Sequence, residues 1–363
     1  PADMDGKKPK RFPEGKREKV TTLDLGLDAR FFNDALGVTF DWYNRTTSDI
    51  LTTANLPATL GADAPYENMG TIQTKGWELA IDYRHTFKNG LHFGVTASVA
   101  DDKTEVTKWT YNTKIPSYGA TGWWDKSAYK EGMVLGDIWG LQFDRFLTED
   151  DFNADGSLKA GLPDQTKVFP AGYQFAPGDV LYKDLDNNGE IVKQTNTNDK
   201  GDLSVIGNAL PRLQFGLNLD AAWKGFDISM FFQGVAKRKL WAAGNQVLPG
   251  FTTGEPFYKG AEDYWTPENT DAFYPRPMDY KQSASGNYSV NDRYLLNMAY
   301  LRLKTFTVGY SLPKVWLSKF KVQGLRVYFT GENLFTIDGV KPAIDPEIAC
   351  NTFPVSLGFV RNI

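Results

Sequence analysis

Residues 21–47 read TTLDLGLDARFFNDALGVTFDWYNRTT, and their alternation sets the fold. Leu23, Leu25, Leu27 and Ala29 fall on one face of an extended chain, with Asp24, Gly26 and Asp28 on the other. After a turn at Phe32-Asn33-Asp34, Val38, Phe40 and Trp42 oppose Thr39, Asp41 and Tyr43. Successive side chains of a strand point to opposite sides, so a period of two marks a strand with one apolar and one wet face.

The same pattern recurs. Trp77, Leu79, Ile81 and Tyr83 oppose Glu78, Ala80, Asp82 and Arg84. After Lys88-Asn89-Gly90, Leu91, Phe93, Val95, Ala97 and Val99 oppose His92, Gly94, Thr96 and Ser98. Further on, Leu213, Phe215, Leu217, Leu219 and Ala221 oppose Gln214, Gly216, Asn218 and Asp220. A turn at Trp223-Lys224-Gly225 leads into Phe226, Ile228, Met230 and Phe232, and strands are also expected over 300–311 and 324–331. Soluble sandwiches alternate too, but their strands average ~5–6 residues, whereas a tilted strand needs ~9–11 to cross a bilayer. The strands here match the longer class. Their connections alternate in length as well. Short turns are expected near 32–36, 87–90, 223–225 and 312–323, and long loops over about 46–73, 102–210, 237–299 and 332–354. Short turns inside and long loops outside are the rule for outer-membrane barrels. The whole chain, 1–363, therefore reads as part of one antiparallel transmembrane β-barrel, all-β. Residues 133–146 are either an extra strand pair or a folded part of a loop. Trp42, Trp77, Tyr83, Trp223 and Phe226 are expected near strand ends, as an aromatic girdle.

Composition narrows the function. The 363 residues include 24 Phe, 17 Tyr and 10 Trp, yet no run approaches the ~20 apolar residues of a membrane-spanning helix. The net charge of -4 gives no electrostatic case for nucleic acid. One cysteine, Cys350, excludes a disulfide framework or cysteine metal cluster, and the two histidines, His85 and His92, argue against imidazole metal chemistry. An outer-membrane protein is made with a signal peptide, and the polar, basic residues 1–20 do not form one, so processing or truncation is expected.

The motifs bring in a family. The run Thr21–Thr47 with Ser48-Asp49-Ile50-Leu51 resembles the strand-turn-strand segment of SusC/RagA-type TonB-linked outer-membrane proteins. So do Glu67-Asn68-Met69-Gly70-Thr71-Ile72 with Lys75-Gly76-Trp77-Glu78-Leu79, and Pro177-Gly178-Asp179-Val180 through Asp184-Leu185-Asp186-Asn187-Asn188-Gly189. Ile206-Gly207-Asn208 with Pro211, Tyr300-Leu301-Arg302-Leu303-Lys304, and Thr330-Gly331-Glu332-Asn333-Leu334-Phe335 follow in the family's order. The resemblance implies an import machine: a plugged barrel, energy coupling through TonB, a SusD-like surface lipoprotein as lid, and a glycan or peptide as cargo. The chain departs from the family in showing neither plug nor TonB box, and it ends Val360-Arg361-Asn362-Ile363 where a closing aromatic residue is usual. It is expected to be the C-terminal part of a larger barrel, since unpaired strand edges are not viable in lipid.

Transport needs no covalent chemistry, so no catalytic residue is expected, and the acidic pairs Asp101-Asp102, Glu149-Asp150-Asp151 and Glu262-Asp263 read as solvated loop charge. Aromatic loop residues are the expected substrate contacts, because large flat side chains bind sugar faces at low entropic cost. The foremost are Trp123 and Trp124, then Trp241, with Trp109, Tyr118, Trp265, Tyr258 and Tyr264 behind them. Asp184, Asp186, Asn188 and Glu190 match the start of a D-x-D-x-N-G calcium loop. The twelfth position holds Thr195 instead of glutamate, so Asp199 or Asp202 would have to complete the set, and an Asx-rich turn is the plainer reading. Asp151-Phe152-Asn153-Ala154-Asp155-Gly156 has the same shape. Glycan import is the leading expectation. Peptide import by the same machine and a surface glycan-binding β-protein without transport are the alternatives.

Overall fold

The computed structural model describes residues 17–53, 66–110, 130–193, 200–242, 244–251, 258–278, 286–318, 321–340 and 344–347. Among the described residues fourteen strands are formed. In chain order they are β1 (Lys19–Phe31), β2 (Leu36–Thr53), β3 (Tyr66–Thr86), β4 (His92–Trp109), β5 (Asp137–Gly140), β6 (Phe143–Phe146) and β7 (Val180–Tyr182). Then come β8 (Ser204–Asn208), β9 (Arg212–Trp223), β10 (Phe226–Lys237), β11 (Lys239–Leu240), β12 (Leu296–Asn297), β13 (Tyr300–Ser311) and β14 (Arg326–Asp338). Eight of them make one antiparallel sheet in the order β1-β2-β3-β4-β9-β10-β13-β14.

The register carries the alternation of each strand across the whole sheet. Ala29 faces Val38, Val38 faces Ile81, Ile81 faces Ala97, and Ala97 faces Leu217. Leu217 then faces Phe232 and Phe232 faces Leu303, so one row of apolar side chains crosses seven strands. The neighbouring row on the opposite face runs Asp28, Thr39, Ala80, Ser98, Gly216, Gln233 and Arg302. A one-residue slip would exchange the faces, so burial of one face in lipid specifies this register strongly. The apolar face stays open in the isolated chain: Leu23, Leu25 and Leu27 are 55%, 59% and 61% exposed, and Phe329 is 62% exposed. Contiguous apolar surface on this scale marks a membrane or protein contact. Its upper limit is marked on β4, where the alternation Phe93, Val95, Ala97, Val99 ends at Asp101. Asp101 is held there by a two-pronged ion pair with Arg212 of β9.

Because adjacent strands are antiparallel and consecutive, short and long connections fall at opposite ends. At one end lie residues 32–35, 87–91 and 224–225, plus 312–325 with its one-turn helix α1 (Lys314–Leu317). The Lys224-Gly225 turn has φ of 49° and 90°. Both values are left-handed, as the tight hairpin that matches strand twist requires. The 54–65, 110–211 and 238–299 connections leave from the other end.

Several strands are longer than the alternation suggests. β2 runs to Thr53, β3 starts at Tyr66, β4 continues to Trp109 and β14 to Asp338, so residues assigned to loops belong to the sheet. Trp42 and Trp77 consequently face each other inside β2 and β3 rather than at strand ends. Residues 132–135 pair briefly with the end of β4 through a Glu105–Val134 bridge, but 137–146 do not enter the large sheet. β5 pairs with β8 and β6 with β7 in two small sheets of their own.

The packed core lies in these connections. One cluster joins Ile138, Leu240, Trp241, Val247, Leu248, Tyr274, Tyr288, Tyr294 and Met298. A second joins Leu141, Phe146, Val168, Phe169, Val180, Tyr182, Ile191, Leu203 and Trp265. Segments from the 110–211 and 238–299 connections contribute to both, so they form one folded cap. A barrel wall faces lipid on one side and water on the other and has no core of its own, so the cap is where packing density is found.

Candidate functional site in the loop cap

The cap is pinned by a buried carboxylate. Asp179 is fully buried and accepts hydrogen bonds from Arg276 Nε at 2.8 Å, Asn287 Nδ2 at 2.9 Å, Tyr173 Oη at 2.9 Å and the Ala176 backbone N–H at 2.9 Å. Asn287 in turn accepts from the Val180 backbone at 2.7 Å. A buried charge is tolerated only when paired and hydrogen-bonded, and this one stitches segments about a hundred residues apart. Arg276 sits between Pro275 and Pro277, so the same ion pair fixes a short wall of two prolines.

That wall closes one side of a pocket of about 560 Å³, lined by Pro249, Tyr258, Tyr264, Tyr274 and Tyr288, with Pro275 and Pro277. Ligand pockets typically have ~300–1,000 Å³. Paired backbone bonds place two of the tyrosines side by side: Tyr274 donates to the Asp263 carbonyl at 2.9 Å, and Trp265 donates to the Tyr274 carbonyl at 3.0 Å. The deeper hydroxyls are already used. Tyr274 donates to the Val247 carbonyl at 3.0 Å and Tyr288 to the Pro249 carbonyl at 2.9 Å. Burial, assisted by Asp263, pushes the Tyr274 phenol up to about 12, and burial raises Tyr288 well above its ordinary value. Both stay protonated donors at any physiological pH and present ring surface to the pocket. Tyr264 is 40% exposed, and Lys259 and Glu262 are exposed at the mouth.

The aromatic residues expected to touch substrate divide into three groups. Tyr258 and Tyr264 do line the pocket. Trp109, Trp241 and Trp265 are only 5%, 4% and 7% exposed, which corrects their assignment as ligand contacts. Trp241 and Trp265 belong to the two cores. The Trp109 ring fills the space over Gly70, its cross-strand partner, where any Cβ would collide with it. Trp123, Trp124 and Tyr118 lie outside the described residues. Sequence reasoning missed Pro249, Tyr274, Pro275, Pro277 and Tyr288, because no periodicity links residues brought together by loop packing.

The proposed cation loop changes membership. Asp184, Asp186 and Asp202 offer carboxylate oxygens within 4.8 Å of one another, an arrangement that could hold a hard, oxygen-seeking cation such as calcium. Asp202 is fully buried and accepts from the Leu185 and Val192 backbones at 2.8 and 2.7 Å. Backbone donors, Gly189 foremost, lower the Asp184 pKa, while desolvation and then the charges of Asp202 and Asp184 raise that of Asp186. Glu190 is not a member: its carboxylate pairs with Lys167. The Asn188 side-chain oxygen accepts from the Glu190 backbone at 2.8 Å, and its amide donates to Asp186 at 3.1 Å. Asp199 lies outside the described residues. The second loop of similar shape is an ordinary turn, with Asp151 bound to Arg145 and Thr148, and Asp155 to Ser157.

Against the polar face of the sheet lies a groove of about 530 Å³, bordered by Thr39, Asp41, Glu78, Ser98, Gln214 and Gln233. Asp41 and Glu78 are direct cross-strand neighbours there. A sheet of long antiparallel strands with lipid-ready and water-ready faces, capped by folded loops at one end, is a segment of a transmembrane outer-membrane barrel.

The comparisons agree. No protein-family model matches the chain. It is 28% identical over 341 residues to TonB-dependent receptor P3 of Formosa agariphila, covering 92% of this chain and 31% of that protein. It is 24% identical to TonB-dependent receptor SusC of Bacteroides thetaiotaomicron, covering 98% of this chain and 33% of that one. The RagAB peptide importer in its open-open state superposes with a TM-score of 0.66 at 20% identity, over 93% of this chain and 34% of that chain. The chain thus has the fold of a segment of an outer-membrane β-barrel and is similar, over nearly its whole length, to part of the TonB-dependent receptors. It spans about a third of the length of the curated relatives it matches.

Proposed function

We propose that the intact protein is an energy-coupled importer of oligomeric nutrients, in which this chain supplies the C-terminal part of the barrel and much of its outer cap. The observation that carries the reading is the two-faced eight-stranded sheet, whose apolar row runs across seven strands, with a folded, pocketed cap on the long-loop side. The names of the relatives support coupling to TonB. A SusD-like lipoprotein lid follows from the family resemblance, and the cap is the surface on which it would close. A glycan cargo rests on the usage of the family it resembles, with weak support from the loop aromatics, of which Trp109, Trp241 and Trp265 are buried. A peptide cargo is the reading that the tyrosine- and proline-lined pocket favours, and the similar RagAB assembly is itself described as a peptide importer.

The test is uptake. Cells carrying the intact protein are expected to accumulate a fluorescently labelled oligomeric cargo, and to lose that accumulation when TonB is deleted. Accumulation that persists without TonB rejects energy-coupled import.

A further inference from the structure

We propose that the aromatic pocket of the cap is a subsite for a proline-containing polypeptide segment in extended conformation, rather than for a sugar ring. The proposal rests on the importer reading and specifies the chemistry its outer cap selects.

The lining decides between the two. A pyranose carries a hydroxyl on nearly every ring carbon, and each one buried without a partner loses its hydration for nothing. The walls formed by Tyr274 and Tyr288 offer no compensating donor, because both hydroxyls are committed to the Val247 and Pro249 carbonyls. The rest of the lining is the Tyr258 and Tyr264 side chains, three proline faces and Ala261, with Lys259 and Glu262 as its charged groups. Proline is the residue such walls suit. Its amide has no N–H to leave unsatisfied, and its ring packs flat on aromatic faces. An extended polyproline-type segment is also largely ordered before it binds, so little conformational freedom is lost, and aromatic-lined grooves recur wherever such segments are read. Lys259 and Glu262 at the mouth provide one cation and one anion, positioned for the peptide carbonyls and N–H groups that continue out of the pocket. The pocket is held open by rigid parts: Pro275 and Pro277 flank Arg276, which is locked to buried Asp179, and the Pro249 carbonyl is tied to Tyr288.

The probes are a five-residue proline-rich peptide with blocked termini, an all-alanine peptide of equal length, and a malto-oligosaccharide. Each is titrated by calorimetry into the intact protein in detergent. The proline peptide is expected to bind, and the other two to bind at least ~10-fold more weakly. Tyr264→Ala is expected to weaken the proline peptide ~10-fold or more, while Tyr264→Phe, which keeps the ring, retains it. Ala261→Trp, which fills the pocket without removing a wall, is the second variant and is expected to abolish binding. Unchanged thermal unfolding shows that each variant is folded. Preference for the malto-oligosaccharide, or peptide binding indifferent to both Tyr264→Ala and Ala261→Trp, overturns the proposal. Either result alongside uptake that still needs TonB overturns the subsite alone; uptake independent of TonB overturns the importer reading, whatever the peptide does.

Discussion

Leu217 and Asn218 are neighbours in β9 that the register assigns to opposite environments, and arginine at each position measures the difference. Leu217 lies near the middle of β9, six residues from Trp223 at the short-turn end. At a rise of ~3.3 Å per residue and a tilt of ~45°, those residues span ~14 Å along the membrane normal, about half the ~30 Å hydrocarbon thickness. The cross-strand partner of Leu217 is Ala97, the middle of the apolar run that stops at Asp101, so two strands place this row at the bilayer centre. Arginine there is expected to cost ~2–4 kcal/mol. At ~1.4 kcal/mol per factor of ten, that is a ~30- to ~700-fold loss in the folding equilibrium. Asn218 faces Thr96 and Phe231 on the water side. Asn218→Arg should change stability by no more than ~0.5 kcal/mol. The assay is equilibrium unfolding of the intact protein from lipid vesicles in guanidinium, followed by tryptophan fluorescence. Equal costs for Leu217→Arg and Asn218→Arg, or a larger cost at Asn218, would refute the assignment of faces.

Three further outcomes are expected. Asp179→Ala leaves the cap's ion-pair hub without its anion and should destabilise the cap by ~3–5 kcal/mol, read as protease cleavage within the 238–299 connection while the barrel's resistance to unfolding in detergent is kept. The paired Arg145 guanidinium lowers Asp151 from 3.8 to about 2. Its folded-state pKa lies below the unfolded value, so its contribution is full above pH ~4 and lost as pH falls toward 2. Asp151→Asn should flatten that part of the cap's stability–pH curve, and an unchanged curve removes the pair from the account. Calcium should raise the unfolding temperature of the intact protein, with Asp186→Asn removing the effect and Glu190→Gln sparing it. The same calcium response in both variants excludes the three-carboxylate cluster as its source.

The sheet was legible wherever lipid meets one face, because only there does the chain need strict alternation. Leu23 to Ala29, Leu213 to Ala221 and Phe226 to Phe232 show it directly. Beyond the bilayer both faces are wet, and alternation fades while hydrogen bonding continues. This is why Thr46 to Thr53 and the start of β3 read as loop although they are paired strands. The cap was less legible. A loop tryptophan looks the same whether it meets ligand or core, and Trp241 was misjudged although Leu240, Ala242, Val247 and Leu248 around it already suggested a packed interior. Asp202 was reachable from the calcium-loop pattern as a substitute ligand. Glu190 was lost to Lys167, a partner that only the fold brings near.

The most direct test of the central claim is extraction of the native outer membrane with detergent, followed by intact-mass measurement of the polypeptide that contains this chain and of whatever copurifies. The account predicts a detergent-dependent polypeptide of about three times this chain's mass, since the chain covers 31% and 33% of its relatives, together with a lipoprotein. A water-soluble species of 40.7 kDa, extracted without detergent and without a partner, would contradict it.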